Sequence, residues 1–285
     1  MHTTIRSAKK EVVIGPDRPF VIIGEKINPS GRKKLTALLQ EGTYQEYVKE
    51  LAITQVAAGA DMLDVNVGTI GVEETELLPI VARMVSETVD VPINLDSAFR
   101  EALAAAIPVM AGKPLVNSVN GEDAGLDLLL PVVKDRAVAV IGLCMDETGI
   151  SNDPEIRLSI ADKIITRATG IGIPIEDIVI DPLVMTVGAD DHAAFNTLRT
   201  IQLIREHFGV NMCMGASNVS FGLPERETIN KAFMAMAIRE GVTCAITDAV
   251  KLTATIRACD MLMGRDPYGG AFIKHARAMA KAATA

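Results

Sequence analysis

Eight short apolar runs punctuate the chain, and each runs unbroken instead of alternating with polar residues. They are FVIIGEKI (20–27), MLDVNVG (62–68), PINLDSA (92–98), PLVNSVN (114–120), AVAVIGLC (137–144), IVIDPLVM (178–185), VNMCMGA (210–216) and CAITDAV (244–250). Unbroken runs of this length suit strands buried on both faces of a parallel sheet. The gaps between them read as helices. TYQE (43–46) reads as a capping box, with the Thr43 hydroxyl accepting from the third helical N–H and Glu46 reaching back. Val48, Leu51, Ala52 and Val56 then mark one helical face, and Gly59 supplies a left-handed stop. Asp153–Pro154 reads as an N-cap followed by a first-turn proline. Leu158, Ala161, Ile164 and Ile165 carry that helix's apolar side, and Gly170 is expected to close it. The last helices run from about 252 to 282 with a break near DPYGG (266–270).

Eight strand–helix units in about 265 residues predict an α/β fold of the (β/α)8 TIM-barrel type. The rival is an open doubly wound sheet. A G-x-G-x-x-G turn after the first strand would favour it, and GEKINPSG does not supply one. No linker or change of composition divides the chain. We therefore expect a single barrel domain over residues 19–285, preceded by an arm over 1–18. A small hairpin in KEVVIGPDRPF (10–20) is expected to cover the barrel's bottom.

Chemistry in a barrel sits at the C-terminal ends of its strands. In order those ends present Glu25 and Asn28, Asp64 and Asn66, Asn94 and Asp96, Asn117 and Asn120, Asp146, Asp181, Asn218, and Asp248. Each has a local alternative. Asn120–Gly121 suits a turn, and Asp96, Asp146 and Asp181 suit helix caps. Taken together they are too regular for caps and turns alone, which accept Ser, Thr and Gly as freely. None of the four histidines (His2, His192, His207, His275) falls at a strand end, which argues against a histidine zinc site or a histidine general base. Lys26 and Lys251 flank strands one and eight, and no lysine is expected squarely within a strand, as a barrel Schiff base needs. The loops after strands seven and eight lack a glycine-rich phosphate grip. A rim of Asp and Asn suits a flat, polar, neutral heterocycle. A pterin presents an N3–H beside a 2-amino group, and one carboxylate can accept from both.

Composition narrows the setting. Of 285 residues 49% are hydrophobic, enough for a sizeable core. The formal charge of −8 and the shortness of the basic runs, KK (9–10) and RKK (32–34), argue against a nucleic-acid surface; both runs read as solvated charge. Cys144, Cys213, Cys244 and Cys259 form no CxxC pair and read as reduced thiols. No apolar run reaches membrane-spanning length and the N-terminus lacks a signal-peptide core, so a soluble cytoplasmic protein is expected. Met212, Met214, Met234, Met236, Met261 and Met263 read as core filler, a minority of them as an adaptable docking surface.

IGEKIN (23–28), DMLDVNVG (61–68), NLDS (94–97), VNSVNGE (116–122), VIGLCMDETGI (140–150), IDPLV (180–184) and GASNVS (215–220) occur in this order. Together, over about residues 18–285, they resemble the pterin-binding methyltransferases that move a methyl group between 5-methyltetrahydrofolate and a corrinoid protein. That family is related to the folate-binding domain of cobalamin-dependent methionine synthase. The resemblance implies that Asp181 pairs with the pterin N3–H and 2-amino group. Asp96 and Asn117 would complete the ring contacts, with Asn120 in the same motif. Asn218 would approach N5, the atom bearing the methyl group, which makes Asn218 and Asp96 the candidate catalytic pair. Glu25, Asn28, Asp64 and Asn66 match the family's motifs as further pterin-site residues. Arg226 would meet the folate tail or the partner. It also implies tetrahydrofolate or 5-methyltetrahydrofolate as substrate, cobalamin carried by a corrinoid-binding partner, no metal bound directly, and a homodimer.

Dihydropteroate synthases share the aspartate of the DP motif but need a Ser-Arg-Lys group and a basic pair near the last strand; this chain has SNV and TDA there, so that activity ranks second. A folate-binding subunit of a split methionine synthase is the non-catalytic alternative. DDHAAF (190–195) comes within one residue of the corrinoid DxHxxG motif, with Phe195 in place of the glycine, and His192 reads as the start of a helix.

Overall fold

A computed structural model describes residues 1–283; residues 284–285, the end of the expected barrel range, lie outside the described residues. A short antiparallel pair, β1 (Thr3–Arg6) and β2 (Glu11–Ile14), comes first. Eight parallel strands follow: β3 (Val21–Ile27), β4 (Met62–Val65), β5 (Ile93–Asp96), β6 (Leu115–Asn120), β7 (Ala139–Leu143), β8 (Ile178–Asp181), β9 (Cys213–Gly215) and β10 (Cys244–Thr247). Their order around the sheet is β8-β7-β6-β5-β4-β3-β10-β9. The ring is nearly closed by a bridge from Ile180 to Met212, where Ile180 N–H donates to Asn211 C=O at 3.0 Å.

Helices fill the connections. They are α1 (Lys33–Glu41), α2 (Gln45–Ala57), α3 (Glu74–Thr88), α4 (Arg100–Ala106), α5 (Asp123–Asp135), α6 (Pro154–Gly170), α7 (Ala193–His207), α8 (Arg226–Glu240), α9 (Ala249–Leu262) and α10 (Gly270–Ala283). The expected (β/α)8 barrel is the observed fold.

The unbroken apolar runs have a simple cause. Val21, Ile23, Met62, Leu115, Ala139, Ile141, Val179, Cys213 and Cys244 fill the barrel interior. Their neighbours Ile22, Leu63, Leu95, Val116, Val140 and Ile180 turn outward and are buried against the helices. Both faces leave water, so neither can be polar. Towards the C-terminal ends the interior changes character, from Ile and Met to Asp64, Asn94 and Asp96.

The hairpin does close the bottom, but not over residues 10–20. Its turn is at Ser7–Lys10, where the Ser7 hydroxyl accepts from the Lys9 and Lys10 amides at 3.1 and 2.9 Å; Gly15–Pro16 only leads into β3. Ile5 and Ile14, both fully buried, join the barrel-interior cluster. Arg6 and Lys113 exchange backbone hydrogen bonds at 2.8 Å. A Cβ at neighbouring Gly112 would meet the Arg6 carbonyl at 2.4 Å, so glycine is required for this approach.

Three helix signals resolve differently from the sequence reading. The capping box at Thr43 does not form: α2 starts at Gln45 with no side-chain cap. Thr43 N–H instead donates to Leu38 C=O at 3.0 Å behind left-handed Gly42, finishing α1. Gly59 does take a left-handed φ of 105° after α2. Asp153 caps α6 as expected, accepting from Glu155 N–H at 2.9 Å with Pro154 next. Gly170, however, stays helical, and Gly172 (φ 96°) makes the turn. Of the methionines, Met212, Met214 and Met234 are core, whereas Met236, Met261 and Met263 are exposed on α8, on α9 and just beyond it.

Candidate active site

A cavity of about 950 Å³ opens at the C-terminal end of the strands. Nine of the ten candidate site residues line it: Glu25, Asn28, Asp64, Asn66, Asp96, Asn117, Asp181, Asn218 and Arg226. The tenth, Asn120, does not. Its carboxamide oxygen accepts from Arg100 Nη2 at 3.0 Å and Glu122 N–H at 3.1 Å, the turn role that Asn120–Gly121 had allowed. Asp146 and Asp248 serve the backbone of their own loops as well. Asp146 accepts from the Thr148 amide and hydroxyl at 2.9 and 2.7 Å, and Asp248 caps α9 through Val250 N–H at 3.1 Å.

The floor is a stack of acids and amides on adjacent strands. Asp64, fully buried, accepts from Asn94 Nδ2 at 2.7 Å, while its Oδ2 and the Asn94 Oδ1 have no partner among the described residues. One layer up, Asp96 Oδ2 accepts from Asn66 Nδ2 at 2.9 Å and Asn28 Nδ2 at 3.4 Å. Burial first, then the Asp96 charge, pushes the Asp64 carboxyl well above the usual carboxylate range. Burial brings Asp96 up to about 6, held back by the Asn66 hydrogen bond.

Asp181 ends β8 on the opposite wall. Its Oδ1 accepts from Leu183 N–H at 2.7 Å, and its Oδ2 takes no hydrogen bond among the described residues. Burial pushes this carboxyl up to about 7, against the pull of the Leu183 amide and the Arg157 charge. An acid with a free oxygen in a dry wall suits a ligand bringing two adjacent N–H donors. Asn218 sits on a single 3-10 turn (Ala216–Ser220), exposed, and its carboxamide makes no hydrogen bond among the described residues.

A family model described as pterin binding enzyme matches residues 24–248. The chain belongs to the pterin-binding enzymes. The methyltransferase branch expected from the motifs is borne out by a methylcorrinoid:tetrahydrofolate methyltransferase of Eubacterium limosum. It is 33% identical over 252 residues, 87% of this chain and 92% of that one. The methionine synthase of Mycobacterium tuberculosis is 28% identical over 262 residues, and the match spans only 22% of its length. Among solved structures, this pterin-binding enzyme resembles dihydropteroate synthases. That of Yersinia pestis with a pterine-sulfa conjugate has a TM-score of 0.68 at 16% identity, covering 93% of this chain and 100% of that one. That of Xanthomonas albilineans with 4-aminobenzoic acid has a TM-score of 0.68 at 20% identity, covering 93% and 98%. At such identities the likeness is one of fold.

Several lining groups of the pterin-binding enzyme were not legible beforehand. Arg32, read as solvated charge in the RKK run, leans on Glu25 at 3.4 Å, and Lys34 lies over the Tyr47 ring. Ser217 donates to the other Glu25 oxygen at 2.8 Å. Arg226 opens α8 and donates to Ser220 Oγ at 3.0 Å and Ser217 C=O at 2.7 Å. Lys26 does fall within a strand. A bulge between Gly24 and Ile27 lets it leave the interior and pair with Asp248, and Gln55 accepts the Lys26 amide there at 2.8 Å. The ion pair commits this amine to Asp248, which does not suit a Schiff base. His192 leads into α7 as expected, exposed and paired with Asp191.

Proposed function

We propose that this enzyme moves a methyl group between N5 of 5-methyltetrahydrofolate and the cobalt of a corrinoid on a partner protein. The observation that carries the reading is the pairing, across one cavity, of an acid with a free oxygen (Asp181) and an uncommitted amide (Asn218). The name and coverage of the Eubacterium limosum relative support it. In this reading ionised Asp181 accepts from the pterin N3–H and 2-amino group. Asn117, Asp96, Asn66 and Asn28 surround the remaining ring edge, over a floor of Asp64 and Asn94. Glu25, with Arg32 and Ser217, forms the neighbouring wall, and Arg226 faces the folate tail or the partner.

The methyl carbon passes in line from N5 to the incoming cobalt(I). The C–N bond breaks with its electron pair returning to N5, which takes up one proton from solvent to become the N5–H of tetrahydrofolate, and the cobalt(I) electron pair forms the new Co–C bond. N5 is a poor leaving group unless a donor strengthens on it as the bond breaks, and the Asn218 amide supplies that donor without titrating. In reverse, N5 of tetrahydrofolate is the nucleophile and methylcobalamin the donor. A cytoplasmic homodimer belongs to the same proposal, carried by the resemblance alone; sedimentation analysis checks the dimer.

The test is anaerobic incubation with methylcob(III)alamin and tetrahydrofolate, followed by visible absorbance. Cob(I)alamin and 5-methyltetrahydrofolate are expected in equal amounts. Tight folate binding without turnover, even with a corrinoid protein added, leaves the non-catalytic subunit. Condensation of a pterin pyrophosphate with 4-aminobenzoate would instead point to dihydropteroate synthase.

A further inference from the structure

Arg157 is the largest of the fully buried side chains among the described residues. Its position is costly three times over. It lies in the first turn of α6, at the positive end of the helix dipole. It makes no hydrogen bond to a carboxylate: Nε donates to Ser151 C=O at 2.6 Å, and Nη1 to Pro182 and Leu183 C=O at 3.0 and 2.9 Å. Nη2 has no partner among the described residues. A well-packed apolar side chain would stabilise this spot better than an unpaired buried cation.

What the arginine holds is the turn after β8. Leu183 is left-handed (φ 62°), unusual for a branched residue. Its carbonyl accepts from Arg157 and from Thr197 Oγ1 at 3.0 Å, and its amide is thereby aimed at Asp181 Oδ1. We propose that Arg157 is a positioning residue for the pterin carboxylate: its fork fixes the Pro182–Leu183 turn, and its charge sits behind Asp181 so that this acid can ionise when the ring arrives. The inference rests on the reading of Asp181 as the pterin-binding acid.

Among the described residues, Arg157 is the charge that balances Asp181. Cys144, just after β7, is a thiol pushed up by burial, and Cys213 on β9 is raised by its hydrogen bond to Cys244 and by burial, so both stay neutral. Asp190, ahead of α7, acts on Arg157 itself. Burial alone would drive Asp181 higher than about 7; the Leu183 amide and Arg157 oppose it, and Arg157 fixes the first and is the second.

The test measures tetrahydrofolate affinity by anaerobic calorimetry from pH 5.5 to 9 for the wild type, Arg157→Gln, Arg157→Lys and Asp181→Asn. Wild-type affinity is expected to fall on the acid side with a midpoint near 7. Arg157→Gln is expected to move that midpoint up by at least about half a pH unit. Arg157→Lys keeps the charge but loses the Nε–H bond to Ser151 C=O and the planar hold on the turn, so it should weaken binding at every pH and move the midpoint less than Arg157→Gln does. An unmoved midpoint in Arg157→Gln, or the same displacement in Arg157→Lys, overturns the proposal. Asp181→Asn should bind weakly with no acid limb; wild-type behaviour there sinks the reading of Asp181 instead. If Arg157→Gln does not fold, the side-chain ¹⁵N resonances of Arg157 in the wild type carry the same information. They should inflect at the binding midpoint, and a flat profile is as damaging as an unmoved limb.

Discussion

Asn218 has the one property a group acting on a developing charge needs: no other described residue holds its side-chain amide. Gly215 keeps room for it, since a Cβ there would meet Asn218 Nδ2 at 3.1 Å. A donor that strengthens only as N5 regains its electron pair lowers the barrier without tightening the ground state. Asn218→Ala should therefore reduce kcat roughly 10- to 100-fold while folate affinity changes far less. Single-turnover kinetics beside equilibrium binding read the two separately, and equal losses in both would make Asn218 a binding residue only. At this scale the sequence was informative wherever the residue type is itself the chemistry. Asp96, Asp181 and Asn218 sit where a barrel displays its function. Arg157 was hidden because its partners are carbonyls 6, 25 and 26 positions away, which no side-chain pattern encodes. Ser217 was hidden because Glu25 is 192 positions away.

Among the elements, the hairpin and the mouth divide the barrel's labour between its two ends. Ile5 and Ile14 seal the interior from below, while the polar layer begins only above Ile23, Met62 and Ile141. Ile14→Ala should cost about 2–4 kcal/mol of stability, the range for emptying a packed core position. It should leave folate affinity untouched, because the cavity is at the far end. Urea unfolding with parallel binding measurements checks this; a matching loss of affinity would mean that the bottom and mouth are coupled. All eight strands were legible from unbroken hydrophobicity, but six of the runs overshot their C-terminal ends. MLDVNVG continues to 68 where β4 stops at Val65, and CAITDAV to 250 where β10 stops at Thr247. The overshoot has a cause. Val67 and Ala249, beyond the pairing, are still fully buried, so hydrophobicity outlasts the hydrogen-bonded ladder. Thr43 misled for a related reason: two helices meet there, and a cap signal does not say which one it serves.

At the scale of the molecule, the site's acids set the pH dependence of the empty enzyme. Asp64, Asp96 and Asp181 all hold their protons more tightly in the folded chain than in the unfolded one, for which burial is the first cause in each case. Between about pH 4 and 7 the native state therefore binds protons that the unfolded chain has released, and these groups lose stability as pH rises through that window. Carboxylates nearer solvent, such as exposed Asp123 and half-buried Asp146, are lowered and act in the opposite sense, losing stability as pH falls. A total stability profile mixes both, but a difference between variants does not. Asp181→Asn removes one raised acid, from an ordinary 3.8 to about 7, and nothing else that titrates. Without ligand it should be more stable than the wild type at pH 8 by on the order of 2–4 kcal/mol, and nearly equal to it at pH 4. Saturating folate should erase the advantage, because the ring's two donors compensate the ionised wild-type carboxylate and not the amide. Urea midpoints at the two pH values, with and without tetrahydrofolate, give all four numbers. A variant no more stable at pH 8 than at pH 4, relative to wild type, would mean that Asp181 ionises without strain and that its burial is not reserved for the pterin.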